Sequence, residues 1–278
     1  MKPRLLLLIE NGMAVVAGGL GFARQRIPQP SSYHDFADRR AFFGVANFLD
    51  VVSNVAFLLV GIWGLFVVFD SKFGASPLPS AERWSYIVLF SGFVLTFVGS
   101  SYYHLQPTNV RLVWDRLPMT LGFMGILSAT IAERISMRAG IWLLLPLIIV
   151  GLWSVVYWYR TEIRGLGDLR PYYVVQFGSL VSVLAMVALC RPRYTLGWCL
   201  VLALMLYAAA KFAEVFDSQI YRVTQAVSGH TVKHFTAAAA GLVIALMLQN
   251  RTALKVDVSE LSTPQSSSPS KMMTSSPR

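Results

Sequence analysis

Residues 84–105 read WSYIVLFSGFVLTFVGSSYYHL, an apolar run that opens on a tryptophan and has a histidine as its last residue but one. A helix needs about 20 mostly apolar residues to cross the hydrocarbon core of a bilayer, and this stretch meets that demand without one carboxylate, lysine or arginine. Comparable runs lie at about 47–69, 112–132, 140–159, 171–190, 195–212 and 230–248, which makes seven expected spans. The breaks between them carry turn and charge signals, as in Ser76-Pro77-Leu78-Pro79, Gln106-Pro107-Thr108-Asn109 and Arg191-Pro192-Arg193. Trp84, Trp114, Trp158, Tyr159, Tyr172 and Tyr194 sit near span ends, where amphipathic rings favour the membrane interface.

The predicted fold is therefore an all-α polytopic membrane protein. A seven-transmembrane-helix bundle occupies 47–248, an additional N-terminal hydrophobic segment occupies 1–23 as an extra span or a signal peptide, and 24–46 form an extracytoplasmic loop. The segment 249–278, rich in Ser and Pro towards its end, is expected to be a disordered tail. Composition agrees: of 278 residues 55% are hydrophobic and 14% charged, against roughly 25% charged in a soluble domain. The net charge of +10 comes from Lys and Arg scattered between apolar runs, so it marks membrane edges and no nucleic-acid partner is expected. Cys190 and Cys199, in no metal-like spacing, read as small apolar fillers.

Polar residues inside apolar spans are expensive, and so they carry the information about function. Three of the four histidines fall there: His104 at the end of the second span, and His230 and His234 at the start of the seventh. Four residues apart on a helix, His230 and His234 share a face, and Ser100 lies one turn from His104. Span parity puts the end of the second helix and the starts of the third and seventh on one membrane side, the outer side in this reading. Asp115 opens the third helix and joins them. Three neutral imidazoles with a water form an open tetrahedral zinc site, whose metal lowers the pKa of its water to about 7. Each residue alone has a plainer role, as a helix–helix hydrogen bond or a charge at a helix start.

The order S-x3-H, D-x2-P, H-x3-H, with eleven residues between His104 and Asp115, resembles the alkaline ceramidase family, part of the CREST group of seven-helix membrane hydrolases. The resemblance covers about residues 34 to 248. It implies a zinc-dependent intramembrane amidohydrolase that cleaves the N-acyl amide of ceramide-like lipids to a fatty acid and a sphingoid base. It assigns zinc to His104, His230 and His234, general base to Asp115 and oxyanion stabilisation to Ser100, the substrate being a membrane lipid. It also implies a regulatory Ca2+ near Asp35, Asp38 and Asn47, although Arg40 stands where an amide ligand is expected and Asn47 where a carboxylate is. Without those ligands the segment is a solvated charged loop.

Lys233 replaces an aromatic of the family pattern and is expected to snorkel or to meet a lipid head group. The region of an assisting tyrosine reads Tyr172-Tyr173-Val174-Val175-Gln176-Phe177 without singling one out. Glu133 with Arg134, and Lys211 with Glu214, are expected as interfacial ion pairs, and Asp50 as a residue that hydrogen-bonds within the bundle or supports the site. The setting expected is a bacterial inner membrane with the site on the extracytoplasmic side. Two other readings use the same histidines: a receptor-like or scaffold protein with structural zinc, and a histidine-based transporter or proton pathway.

Overall fold

The computed structural model describes residues 25–70 and 78–254; the hydrophobic segment 1–23 and the tail from 255 onward lie outside the described residues. After a short 3-10 turn at Ser31–His34 the elements are α1 (Phe48–Val52), α2 (Val55–Phe69), α3 (Ser80–Leu105) and α4 (Asn109–Arg134). They continue with α5 (Met137–Glu162), α6 (Arg170–Leu189), α7 (Trp198–Val215), α8 (Asp217–Thr224) and α9 (Gly229–Asn250). No strand occurs among the described residues, and six helical segments there are long and apolar enough to cross a membrane: α1 with α2, then α3, α5, α6, α7 and α9.

Helix α4 matches these in length, at 26 residues, but falls short in hydropathy. Its position explains why. It packs between α3 and α5 and against α6, and its buried residues include Asp115, Arg116, Thr120, Ser128, Thr130 and Glu133. Polar groups that would be costly against lipid are partnered inside the bundle instead. The outward faces of the other helices are apolar: Leu59 and Phe66 on α2, Val98 on α3, Trp142 and Leu145 on α5, Phe212 on α7. In water such a surface would be an aggregation liability, whereas in a bilayer it is the solvated face.

Small residues set the closest helix contact. Ser85, Gly92 and Gly99 recur every seven residues along α3 and face α4. A Cβ on Gly99 would stand 1.9 Å from the carbonyl oxygen of Trp114, so only glycine lets the two backbones touch there. The helices are thereby locked with Ser100 beside Asp115. Gly99→Ala is expected to push α4 outward and to lower stability by about 1–3 kcal/mol, the usual cost of overpacking, with the bundle still folded. A thermal melt in detergent tests this; an unchanged midpoint would show that the crossing can widen without cost.

The opposite end of the bundle holds a second polar cluster. Arg251 follows α9 and is 2% exposed, reaching Glu82 on α3 and Glu133 on α4. The ordered chain thus continues past residue 248, where the disordered tail was expected to begin; this buried pairing and a hydrogen bond from Leu254 N to Arg193 O hold the chain there. Glu133 does pair with Arg134, but both are buried and Glu133 is shared with Arg251, so the pair is interior.

Candidate metal centre

His104 is the penultimate residue of α3, where a helix leaves carbonyls without partners. Asn47, in the left-handed region at φ 46°, donates from Nδ2 to the His104 carbonyl at 2.8 Å and so holds that turn. Asn and Asp tolerate this conformation better than other side chains, which suits Asn47 to its place. His230 lies at the start of α9, whose free N–H groups are met twice: Ser228 Oγ accepts from Thr231 N at 3.0 Å and Asp217 Oδ1 from His230 N at 2.7 Å. The other oxygen of Asp217 accepts from Ala37 N at 2.8 Å, so one carboxylate ties the 25–46 segment to the histidine helix. His234 follows one turn on.

The three imidazoles converge. All are buried, and their candidate ligand atoms lie within 4.8 Å of one another. His104 Nε2 and His230 Nε2 are 3.3 Å apart. Bonds of about 2.0–2.1 Å in tetrahedral geometry place two nitrogens at about that separation. His234 is oriented from behind: Ser53 Oγ donates to the Asp50 carbonyl at 3.2 Å and therefore accepts from His234 Nδ1–H at 2.7 Å. That tautomer leaves Nε2 as a lone pair, and His234 Nε2 is buried with no hydrogen-bond partner. A buried acceptor left unmet is costly unless an ion or donor takes it. The donor set, nitrogen only and neutral when ligating, suits zinc.

The surroundings are built by residues of both predicted and unpredicted kinds. Phe36 covers the cluster, its ring centroid 4.7 Å from that of His104 and 4.5 Å from that of His230. Asp50 Oδ1 accepts from Thr231 Oγ1 at 2.7 Å and Ser228 Oγ at 3.3 Å, which is the bundle role expected of it. The fourth histidine, His34, is engaged elsewhere, with Tyr103 Oη and Asn109 Oδ1 both at 2.9 Å.

Ser100 and Asp115 are both buried, are hydrogen-bonded to each other through their side chains, and line a cavity of about 170 Å³ together with His234. Lys233 lines it too. Its Nζ donates to Glu214 Oε1 at 2.8 Å and stands 3.1 Å from His230 Nε2, so it is an interior residue and does not snorkel. Glu214 binds Lys211 and accepts from Tyr33 Oη at 3.2 Å as well, which makes the expected Lys211–Glu214 surface pair part of the cavity wall. The sequence offered one clue, a carboxylate one turn after a lysine at the end of an apolar helix. Tyr172, Tyr173 and Gln176 from the singled-out region line the cavity, where α6 widens to a π turn over Val174–Gly178. Such turns recur at functional sites.

The three residues considered for calcium are otherwise occupied. Both oxygens of Asp38 receive Arg40, at 2.8 and 2.7 Å. Burial works against the Asp38 charge, but the hydrogen bonds and charge of Arg40 outweigh it and hold the carboxyl below its ordinary range. Asp35 pairs with Arg39 on the surface, and Asn47 serves His104. An arginine thus stands where a cation would have to enter. No protein-family model and no curated protein matches the chain.

Proposed function

We propose that this chain is a zinc-dependent intramembrane amidohydrolase of N-acyl lipids, of the alkaline ceramidase type, cleaving a ceramide-like amide to a fatty acid and a sphingoid base. The observation that carries the reading is that Ser100 and Asp115 line, with His234 of the buried three-histidine cluster, the polar end of an otherwise apolar cavity. In the same reading α4 is the seventh span, and the site faces the extracytoplasmic side of a bacterial inner membrane.

His104, His230 and His234 would hold the zinc, which when bound supplies Lewis acidity and brings a water's pKa to about 7. Asp115 takes the proton of the attacking water and passes it to the leaving amine as the C–N bond breaks and the C–O bond forms. The Ser100 hydroxyl turns from Asp115 to donate to the oxygen that gains charge. Ser53 and Asp217 keep two imidazoles in place through the reaction, by the Nδ1–H and the backbone N–H respectively. A receptor or scaffold with structural zinc needs neither Ser100 nor Asp115, and their presence at the cavity end favours the enzyme.

The test is Asp115→Asn, which preserves size and polarity and removes the base. Fatty-acid release from a fluorescent ceramide should fall about 10²–10⁴-fold, with metal content unchanged. Full activity in that variant would remove Asp115 from the chemistry, and a folded wild type inert towards every N-acyl lipid would return the protein to the receptor-like reading.

A further inference from the structure

The cavity beside His234 has one charged end and one apolar end. Its far wall is Leu89, Ile126, Leu200 and Ile244. From Ser100 to Leu89 on α3, or Lys233 to Ile244 on α9, is about 16 Å at 1.5 Å per residue, an elongated wall of the length that an extended hydrocarbon chain needs. At the charged end, Asp115 and Glu214 face Arg116, Lys211 and Lys233. With the imidazoles neutral, this leaves one positive charge in excess.

Arg116 differs from the two lysines in its partners. Both lysines share Glu214, whereas among the described residues Arg116 has no carboxylate in ion-pair contact. It is 4% exposed, donates from Nη2 to Gln29 Oε1 at 2.6 Å, and stacks among Trp158, Tyr172 and Tyr33, 4.3, 4.8 and 5.4 Å from their ring centroids. Its Nη1 has no partner. Aromatic faces stabilise a cation but leave in-plane N–H donors unmet, and a buried guanidinium edge is matched best by a carboxylate or phosphate.

We infer that the lipid bound in this cavity carries an anionic group, carboxylate or phosphate, near its amide, and that Arg116 binds that group. The substrate class is then an N-acyl lipid whose amine portion is acidic, an N-acyl amino acid being the simplest case. This rests on the amidohydrolase reading and revises one part of it: the amine released is acidic, where a ceramide would release a sphingoid base.

The experiment is displacement of a fluorescent fatty-acid probe from the detergent-purified full chain by an alkyl carboxylate, an alkyl phosphate and an alcohol of one chain length, before and after chelation. At least one anion should bind about tenfold or more tightly than the alcohol, as a charged hydrogen bond predicts, and the one that gains more identifies the head group. The preference should survive chelation, vanish in Arg116→Gln and persist in part in Arg116→Lys. Equal binding of acids and alcohol by wild type overturns the inference without any variant, which keeps it testable if Arg116→Gln misfolds. A preference lost on chelation overturns it too, because the metal is then the anion site. Turnover separates the two readings: no hydrolysis of neutral or acidic N-acyl lipids defeats the hydrolase, while hydrolysis with no acid preference in binding defeats only the role of Arg116.

Discussion

Purified in detergent, the chain should carry one zinc ion, and His230→Ala should carry none. The expectation follows from how the site is made. Three buried imidazoles face one point, and one of them, His234, has its Nδ1 proton committed to Ser53 and its Nε2 without a partner. Removing His230 leaves two nitrogen ligands, too few for the closed side of a zinc site. Ser53→Ala should give a graded result, because it frees the His234 ring without removing a ligand. Such outer partners are typically worth 10–100-fold in metal affinity. The measurement is metal content per chain by elemental analysis, followed by competition with a chelator, for wild type, His230→Ala and Ser53→Ala. Amide hydrolysis should track occupancy. A well-folded, active wild type without stoichiometric metal would end the zinc mechanism.

The second large effect lies at the other end of the molecule. Arg251→Ala should lower stability by about 3–5 kcal/mol, since truncating one partner of a buried ion cluster leaves charge without compensation. Arg251 reaches Glu82 Oε2 at 2.5 Å and Glu133 Oε2 at 3.3 Å, and its guanidinium lies 3.9 Å from the Tyr194 ring centroid. Of the cations left, Arg193 stands 3.9 Å from Glu82 and Arg134 holds only Glu133. Replacing Arg251 together with Glu82, as Arg251→Met with Glu82→Gln, should recover most of the loss, because Glu133 keeps Arg134 and the charge left without its partner is gone. Thermal unfolding in detergent, with turnover per folded molecule as a control, distinguishes this from damage to the site. An unchanged midpoint in Arg251→Ala would mean that the remaining arginines suffice.

Much of this architecture was legible in the chain. Apolar runs of bilayer length need no partner to be recognised, since their demand is on the solvent. The histidines and Asp115 stood out for the same reason, as polar groups where hydrocarbon makes them costly. Lys233 and Glu214 were misread because sequence shows a charge near a helix end without showing which way it points. One faces inward to the other across α7 and α9, and both wall the cavity. Asp217, Ser53 and Phe36 left no signal at all. Ser53 and Phe36 act on histidines far away in the chain, and Asp217 acts on His230 across the break between two helices.

The sequence by itself determined the helical class, the membrane as solvent, and which residues were candidates to bind a metal, because each follows from composition and local periodicity. Only the tertiary structure decided that the imidazoles share a centre, that Gly99 lets Ser100 meet Asp115, and that Arg116 lines the cavity without a carboxylate in ion-pair contact among the described residues. Those are relations between helices, set by packing distances and by the pairing of buried charges, and no single stretch of chain contains them.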